Sequence, residues 1–173
     1  MSSLSFEIAG AVGLRVEITE QTDGSLRFDL RNQGDQVGDL RGLFFDFADS
    51  DQISRLSVSG SAISGQSFGD ERVTNLGGGV NMNGVSAFDV GVAFGTAGIG
   101  KDDIRDTFFF LRSSSGALDL SDVAGMDFGA RFTSVGDAGG SRDDSLKLMG
   151  EAPDYTPPST GGGTPLPPFE VIL

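Results

Sequence analysis

LRVEITEQTDGSLRFDLR, residues Leu14 to Arg31, is the stretch whose reading decides the fold. Leu14, Val16 and Ile18 alternate with Arg15, Glu17 and Thr19. Leu26, Phe28 and Leu30 alternate in the same way with Arg27, Asp29 and Arg31. A period of two, apolar on one side and charged on the other, belongs to a half-buried strand; a helix would repeat its apolar positions every three to four residues. Thr22-Asp-Gly-Ser25 lies between the runs and supplies turn chemistry. The stretch therefore reads as an antiparallel hairpin with one face in a core and one in water.

Working outward, Leu4 to Ile8 reads as a short strand and Asn32 to Asp39 as turn chemistry. Leu40 to Phe47 is too apolar for a one-faced strand and is expected to run between two layers or beneath a loop. Ile53 to Val58 reads as a strand, and residues 59–86, rich in Gly, Ser and Asn, as long loops around a short strand near Val73. Phe88 to Phe94, Thr107 to Leu111, Met126 to Thr133 and Ser145 to Leu148 complete the strands. Leu118 to Val123 allows one helical turn, and nothing longer reads as helix. About eight strands at short, regular spacing predict an all-β fold, an antiparallel β-sandwich of jelly-roll-like arrangement. Residues 1–150 form this domain. In residues 151–173 the composition changes: all six prolines fall between Ala152 and Pro168, with Gly161-Gly-Gly163 among them, so this part reads as a disordered or extended Pro/Gly-rich tail.

Composition bounds the function. Twelve basic against 25 acidic residues leave a formal charge of −13, which disfavours nucleic acid and anionic membrane surfaces and favours cations. The chain has no long apolar segment, so membrane insertion is not expected. It has no cysteine and no histidine, which removes thiolate sites, histidine-dependent catalysis and the usual zinc ligands. Oxygen ligands alone suit hard cations, calcium foremost. There are 14 Phe, one Tyr and no Trp. Phenylalanine suits a dry core, and the lone Tyr155 sits in the tail, which counts against an aromatic sugar platform. No glutamate has the apolar surroundings that would prepare it as a glycosidase acid.

Between Asp89 and Leu111, DVGVAFGTAGIGKDDIRDTFFFL, a glycine-rich loop ending in acids separates two strands. Gly95 to Lys101 fits the start of a phosphate-binding loop, but Asp102 stands where a hydroxyl is needed and a strand follows where a helix is needed. Ala97-Gly-Ile-Gly-Lys-Asp-Asp-Ile-Arg105 fits the calcium nonapeptide G-G-x-G-x-D-x-U-x except at Ala97. In that reading Gly98 and Gly100 turn carbonyls toward the ion, Asp102 supplies charge and Ile104 anchors the loop. Asp103, Asp106 and Asp89 complete the candidate calcium ligands. Looser echoes at Gly78 to Ser86 and Gly139 to Lys147 add Asp143 and Asp144 as secondary candidates. Asp46, Asp49 and Asp51 are also secondary, since a charged turn after a strand accounts for them equally well.

The nonapeptide, the acidity, the lack of cysteine and the ending Phe169-Glu-Val-Ile-Leu173 together resemble exported calcium-binding proteins of the RTX-like, type I-secreted kind. The resemblance implies extracellular export without an N-terminal signal peptide, with Phe169, Glu170, Val171, Ile172 and Leu173 as the secretion signal. It also implies calcium-dependent folding outside the cell. The separated echoes exclude a continuous β-roll. The expected function is a non-catalytic, calcium-stabilised module of a surface or biofilm matrix, structural or adhesive. Its partners would be further copies of itself, as a homo-oligomer or filament, or an extracellular polysaccharide. A calcium-dependent carbohydrate-binding module is the alternative, and a glycosidase a more distant one.

Overall fold

The computed structural model describes residues 1–157. Its ten strands are β1 (Ser3–Ile8), β2 (Leu14–Glu20), β3 (Leu26–Asn32), β4 (Val37–Phe45), β5 (Leu56–Ser59), β6 (Ile63–Val73), β7 (Phe88–Phe94), β8 (Asp106–Ser113), β9 (Asp127–Gly136) and β10 (Asp144–Glu151). Two short 3₁₀ helices, Ser50–Arg55 and Leu120–Asp122, interrupt them. The strands form two antiparallel five-stranded sheets. The front sheet has the order β1-β2-β3-β8-β5 and the back sheet β10-β9-β4-β7-β6. The chain crosses between the layers after β3, β4, β5, β7 and β8, winding in jelly-roll fashion. The antiparallel sandwich expected from the alternation is present, with ten strands in place of about eight. Among the described residues no helix is long and apolar enough to cross a membrane.

The β2–β3 hairpin forms as its pattern requires. Val16 lies opposite Leu30 and Ile18 opposite Phe28, with all four side chains buried. Its turn works because Gly24 takes a φ of +83°, a left-handed conformation costly for other residues, while Asp23 accepts a 3.0 Å hydrogen bond from the Ser25 amide.

Between the sheets a chain of phenylalanines fills the core: Phe6, Phe128, Phe45, Phe28, Phe109 and Phe94 follow one another at centroid distances of 4.9, 5.3, 5.2, 4.7 and 5.9 Å. Fully burying one such ring contributes about 1.5–3 kcal/mol. The back sheet is covered on its outer side as well. Leu76, Val80 and Met82 from the segment after β6 close a second small core over Phe44 and Ala93. Strands β4 and β7 are thus covered on both faces, which is why neither alternates.

The sequence reading differs from the structure in three places. Ile53 to Arg55, read as the start of a strand, belong to the first 3₁₀ helix, and β5 begins only at Leu56. Residues 63–73 form an eleven-residue edge strand where loops were expected. With one neighbour only and register shifts along it, β6 buries little besides Val73, so no period of two marks it. The body also continues beyond Gly150. Strand β10 ends at Glu151, Ala152 is buried and donates to the Met126 carbonyl, and Tyr155 packs against the main core.

Candidate functional site

The acidic residues singled out in the sequence fall into separate places. The loop from Gly95 to Arg105 carries the chain from β7 in the back sheet to β8 in the front sheet. Within it, Asp102 accepts hydrogen bonds from the Thr96 amide at 3.0 Å and the Thr96 hydroxyl at 3.1 Å. Asp103 is gripped by Arg142, with both guanidinium nitrogens at 2.7 Å, and by Arg105 at 3.1 Å. Hydrogen bonds from Arg142, reinforced by Arg105, hold the Asp103 carboxyl below the usual carboxylate range. Asp39, on β4, joins this group: it is fully buried, and one oxygen accepts the Ile104 amide at 2.9 Å. Burial pushes Asp39 up, with Asp102 and Asp103 adding to the effect and Arg41 opposing it. The second oxygen of Asp39 and two guanidinium nitrogens of Arg41 are buried with no hydrogen-bond partner among the described residues. Three aspartates and three arginines therefore share this corner, and calcium would have to exchange with contacts already made there. Gly98 takes a φ of +93° and closes the turn by which its carbonyl accepts the Lys101 amide.

Asp89 is not part of that corner. It sits near the opposite end of β7, where its two oxygens accept the Phe47 amide at 2.9 Å and the Glu71 amide at 2.8 Å. It thereby fixes Glu71 at φ +49°, inside the irregular stretch of β6. Asp46 lies beside it. Burial, with Asp89 and Asp127 adding repulsion, pushes the Asp46 carboxyl up to about 6, and its Oδ1 is buried without a partner among the described residues. Asp49 caps the first 3₁₀ helix by accepting the Asp51 amide at 3.1 Å, and Asp51 lies exposed in its first turn. Asp143 is exposed and Asp144 opens β10. Among the described residues no three acidic side chains are gathered as a metal cage. Phe169 to Leu173, read as a secretion signal, lie outside the described residues.

Asp106 points elsewhere again, onto the solvent face of the front sheet, where it stands opposite Arg31. This face carries an ordered array of charged and aromatic side chains. The register sets Glu7, Arg15, Arg31 and Asp106 in one row across four strands, and Ser5, Glu17, Asp29 and Phe108 in the next. Arg27 follows opposite Phe110. Its guanidinium lies 4.1 Å from the centre of the Phe108 ring and donates twice to Asp29, each at 2.9 Å. The bond to Asp29 raises the Arg27 pKa, so the cation is held charged over the ring. Arg112 continues the pattern over Phe110 at 5.2 Å and donates to Asp23 at 2.9 Å. Phe108 is 40% exposed. A cleft of about 540 Å³ runs along Arg15, Glu17, Asp29, Arg31 and Phe108.

The sequence reading passed over this face because it assigned nearly all phenylalanines to the core. The signal was nonetheless in Thr107-Phe-Phe-Phe-Leu-Arg112. A strand packed on one side only must turn every second residue outward, and since Phe109 and Leu111 go in, Phe108 and Phe110 come out. No protein-family model matches the chain, and no curated protein matches it.

Proposed function

We propose that the chain is a non-catalytic, extracellular module of a surface or biofilm matrix, adhesive in role, making its contact through the solvent face of the front sheet. The observation that carries this reading is Arg27, locked to Asp29 and lying 4.1 Å from the centre of the half-exposed Phe108 ring. A soluble chain gains little from keeping a large ring in water, and side chains already fixed in place lose little entropy when a ligand arrives. The flanking cleft and the rigid sandwich beneath it fit a contact surface. Every carboxylate lining the cleft stands next to an arginine, on its own strand or the neighbouring one, an arrangement suited to holding a ligand.

Calcium belongs to this proposal as a stabiliser, through Gly98, Gly100, Asp102 and Asp103 and the acid excess of the chain. Bound there, it would neutralise carboxylates and order the loop.

Attachment tests the reading. Labelled wild-type protein is layered on isolated extracellular matrix, washed, and compared with Phe108→Ala and Arg27→Ala. Both side chains are on the surface, so both variants should fold. Retention of the wild type with at least tenfold loss in both variants supports the proposal. Equal retention of all three rules out this face as the contact.

A further inference from the structure

Resting on that reading of the front-sheet face, we infer that its ligand is a neutral, hydroxyl-rich polysaccharide. Three features of the face select this class against its competitors.

The first is charge. Arg15, Arg27, Arg31 and Arg112 on the outward rows face Glu7, Glu17, Asp29 and Asp106, with Asp23 on Arg112, so the face carries a formal charge of only −1 in a chain of −13. Charges elsewhere are screened beyond about 8 Å at physiological ionic strength, so a polyanion meets no positive field here and a negative molecule behind it. A polycation would be drawn to the chain as a whole and would have no reason to choose a face so near neutrality.

The second is the arrangement of donors and acceptors. Arg15 stands opposite Arg31, and Glu17 opposite Asp29. Like charges directly across two strands oppose pairing. The strands nevertheless place two pure donors side by side and two pure acceptors side by side. A sugar hydroxyl both donates and accepts, so neighbouring hydroxyls of one ring can bridge from the arginine row to the carboxylate row. Asp29 already accepts two bonds from Arg27, which holds this part of the donor and acceptor pattern in place before a ligand arrives.

The third is Phe108, at the end of the carboxylate row. The Arg27 guanidinium covers the ring and Phe110 packs against it in T-shaped geometry at 5.9 Å, leaving Phe108 40% exposed beside the cleft. It offers a half-exposed apolar ring next to hydrogen-bonding groups, the usual composition of a site that fixes orientation with a few polar contacts. Protein interfaces instead exclude Asp and Glu from their centres, which this face does not.

Affinity electrophoresis through gels containing laminarin, xyloglucan or galactomannan as neutral probes, and alginate or polygalacturonate as acidic ones, tests the inference on the full chain. The wild type should be retarded by at least one neutral polymer and by neither acidic one, with the same dissociation constant at 0.05 and 0.5 M NaCl. Phe108→Ala and the paired change Glu17→Gln with Asp29→Asn should each weaken that binding at least tenfold, with unchanged melting curves showing that the sandwich is intact. Retardation by the acidic polymers alone, or binding abolished by salt, overturns the inference. Binding to no probe, or equal binding by wild type and variants, overturns it as well. If matrix retention is lost in Phe108→Ala while no neutral polymer competes with it, the contact face stands and the ligand class falls.

Discussion

Asp103 and Asp46 are both aspartates close to other acids, yet their surroundings move them in opposite directions. Asp103, gripped by Arg142 and Arg105, is held down. Asp46, half-buried beside Asp89 and Asp127, is pushed up to about 6. The signs follow by linkage. The stabilisation from Asp103 is present above the unfolded value of about 3.9 and is lost as pH falls through its lower folded value. Asp46 works the other way: its protonated form favours the fold, so that contribution is present below about 3.9 and is lost as pH rises through about 6. Replacing Asp103 with Asn should therefore flatten the stability profile below about pH 4. Asp46→Asn should flatten it between about pH 4 and 6. At pH 7 Asp46→Asn should also raise stability, by about 1 kcal/mol once screening of this part-exposed group is allowed for. Denaturant unfolding across pH checks both, and a wild-type slope persisting in either variant would refute the corresponding assignment. Arg142→Ala removes the two bonds to Asp103 from a side chain only 7% exposed, and should cost about 1.5–3 kcal/mol at pH 7.

At the scale of elements, legibility depended on how many faces a strand buries. Strands β2, β3 and β9 pack on one side, and their alternation marked them with the correct inward residues: Val16, Phe28 and Phe132 are all fully buried. Strand β4, covered on both sides, was recognisable by its lack of alternation. Strand β6 buries neither side well and left no pattern. The candidate sites were less legible because each is assembled across long separations. Asp39 reaches Ile104 over 65 residues. Asp89 and Gly95, close in sequence, lie at opposite ends of a seven-residue strand, about 20 Å apart at the usual rise. The outer row of β8 was legible in principle and was masked by treating phenylalanine as core by default. A pair of substitutions separates the two roles of that residue type. Phe28→Ala, at the centre of the stacked rings, should lose about 3–5 kcal/mol of stability. Phe108→Ala should stay within about 0.5 kcal/mol of the wild type. Matching losses in urea titrations would mean that Phe108 is part of the core after all.

At the scale of the whole molecule the −13 charge opposes compaction, and the back sheet and the inter-sheet loop carry part of that burden locally. Around Asp39, Asp102 and Asp103 the chain supplies arginines of its own. Around Asp46 the neighbouring charges of Asp89, Asp127 and Glu71 add repulsion to burial. A divalent cation can stabilise this protein in two distinguishable ways. General screening would act equally with sodium, magnesium or calcium at matched ionic strength. Specific binding would act with calcium alone, and at about 100 times its dissociation constant would contribute roughly 2.7 kcal/mol. For a chain of this size that corresponds to a rise of about 5–10 °C in melting temperature. The expected outcome is a calcium-specific rise, reversed by EDTA. If the ion sits in the nonapeptide loop, Asp102→Ala should remove most of the rise while Asp46→Asn leaves it intact. The opposite result would place the ion at the far end of β7, where Asp46, Asp89 and Asp127 repel one another. Equal melting curves in calcium, in magnesium at the same ionic strength and in EDTA would remove calcium from the account, leaving Arg105, Arg142 and Lys101 as counter-charges of the loop.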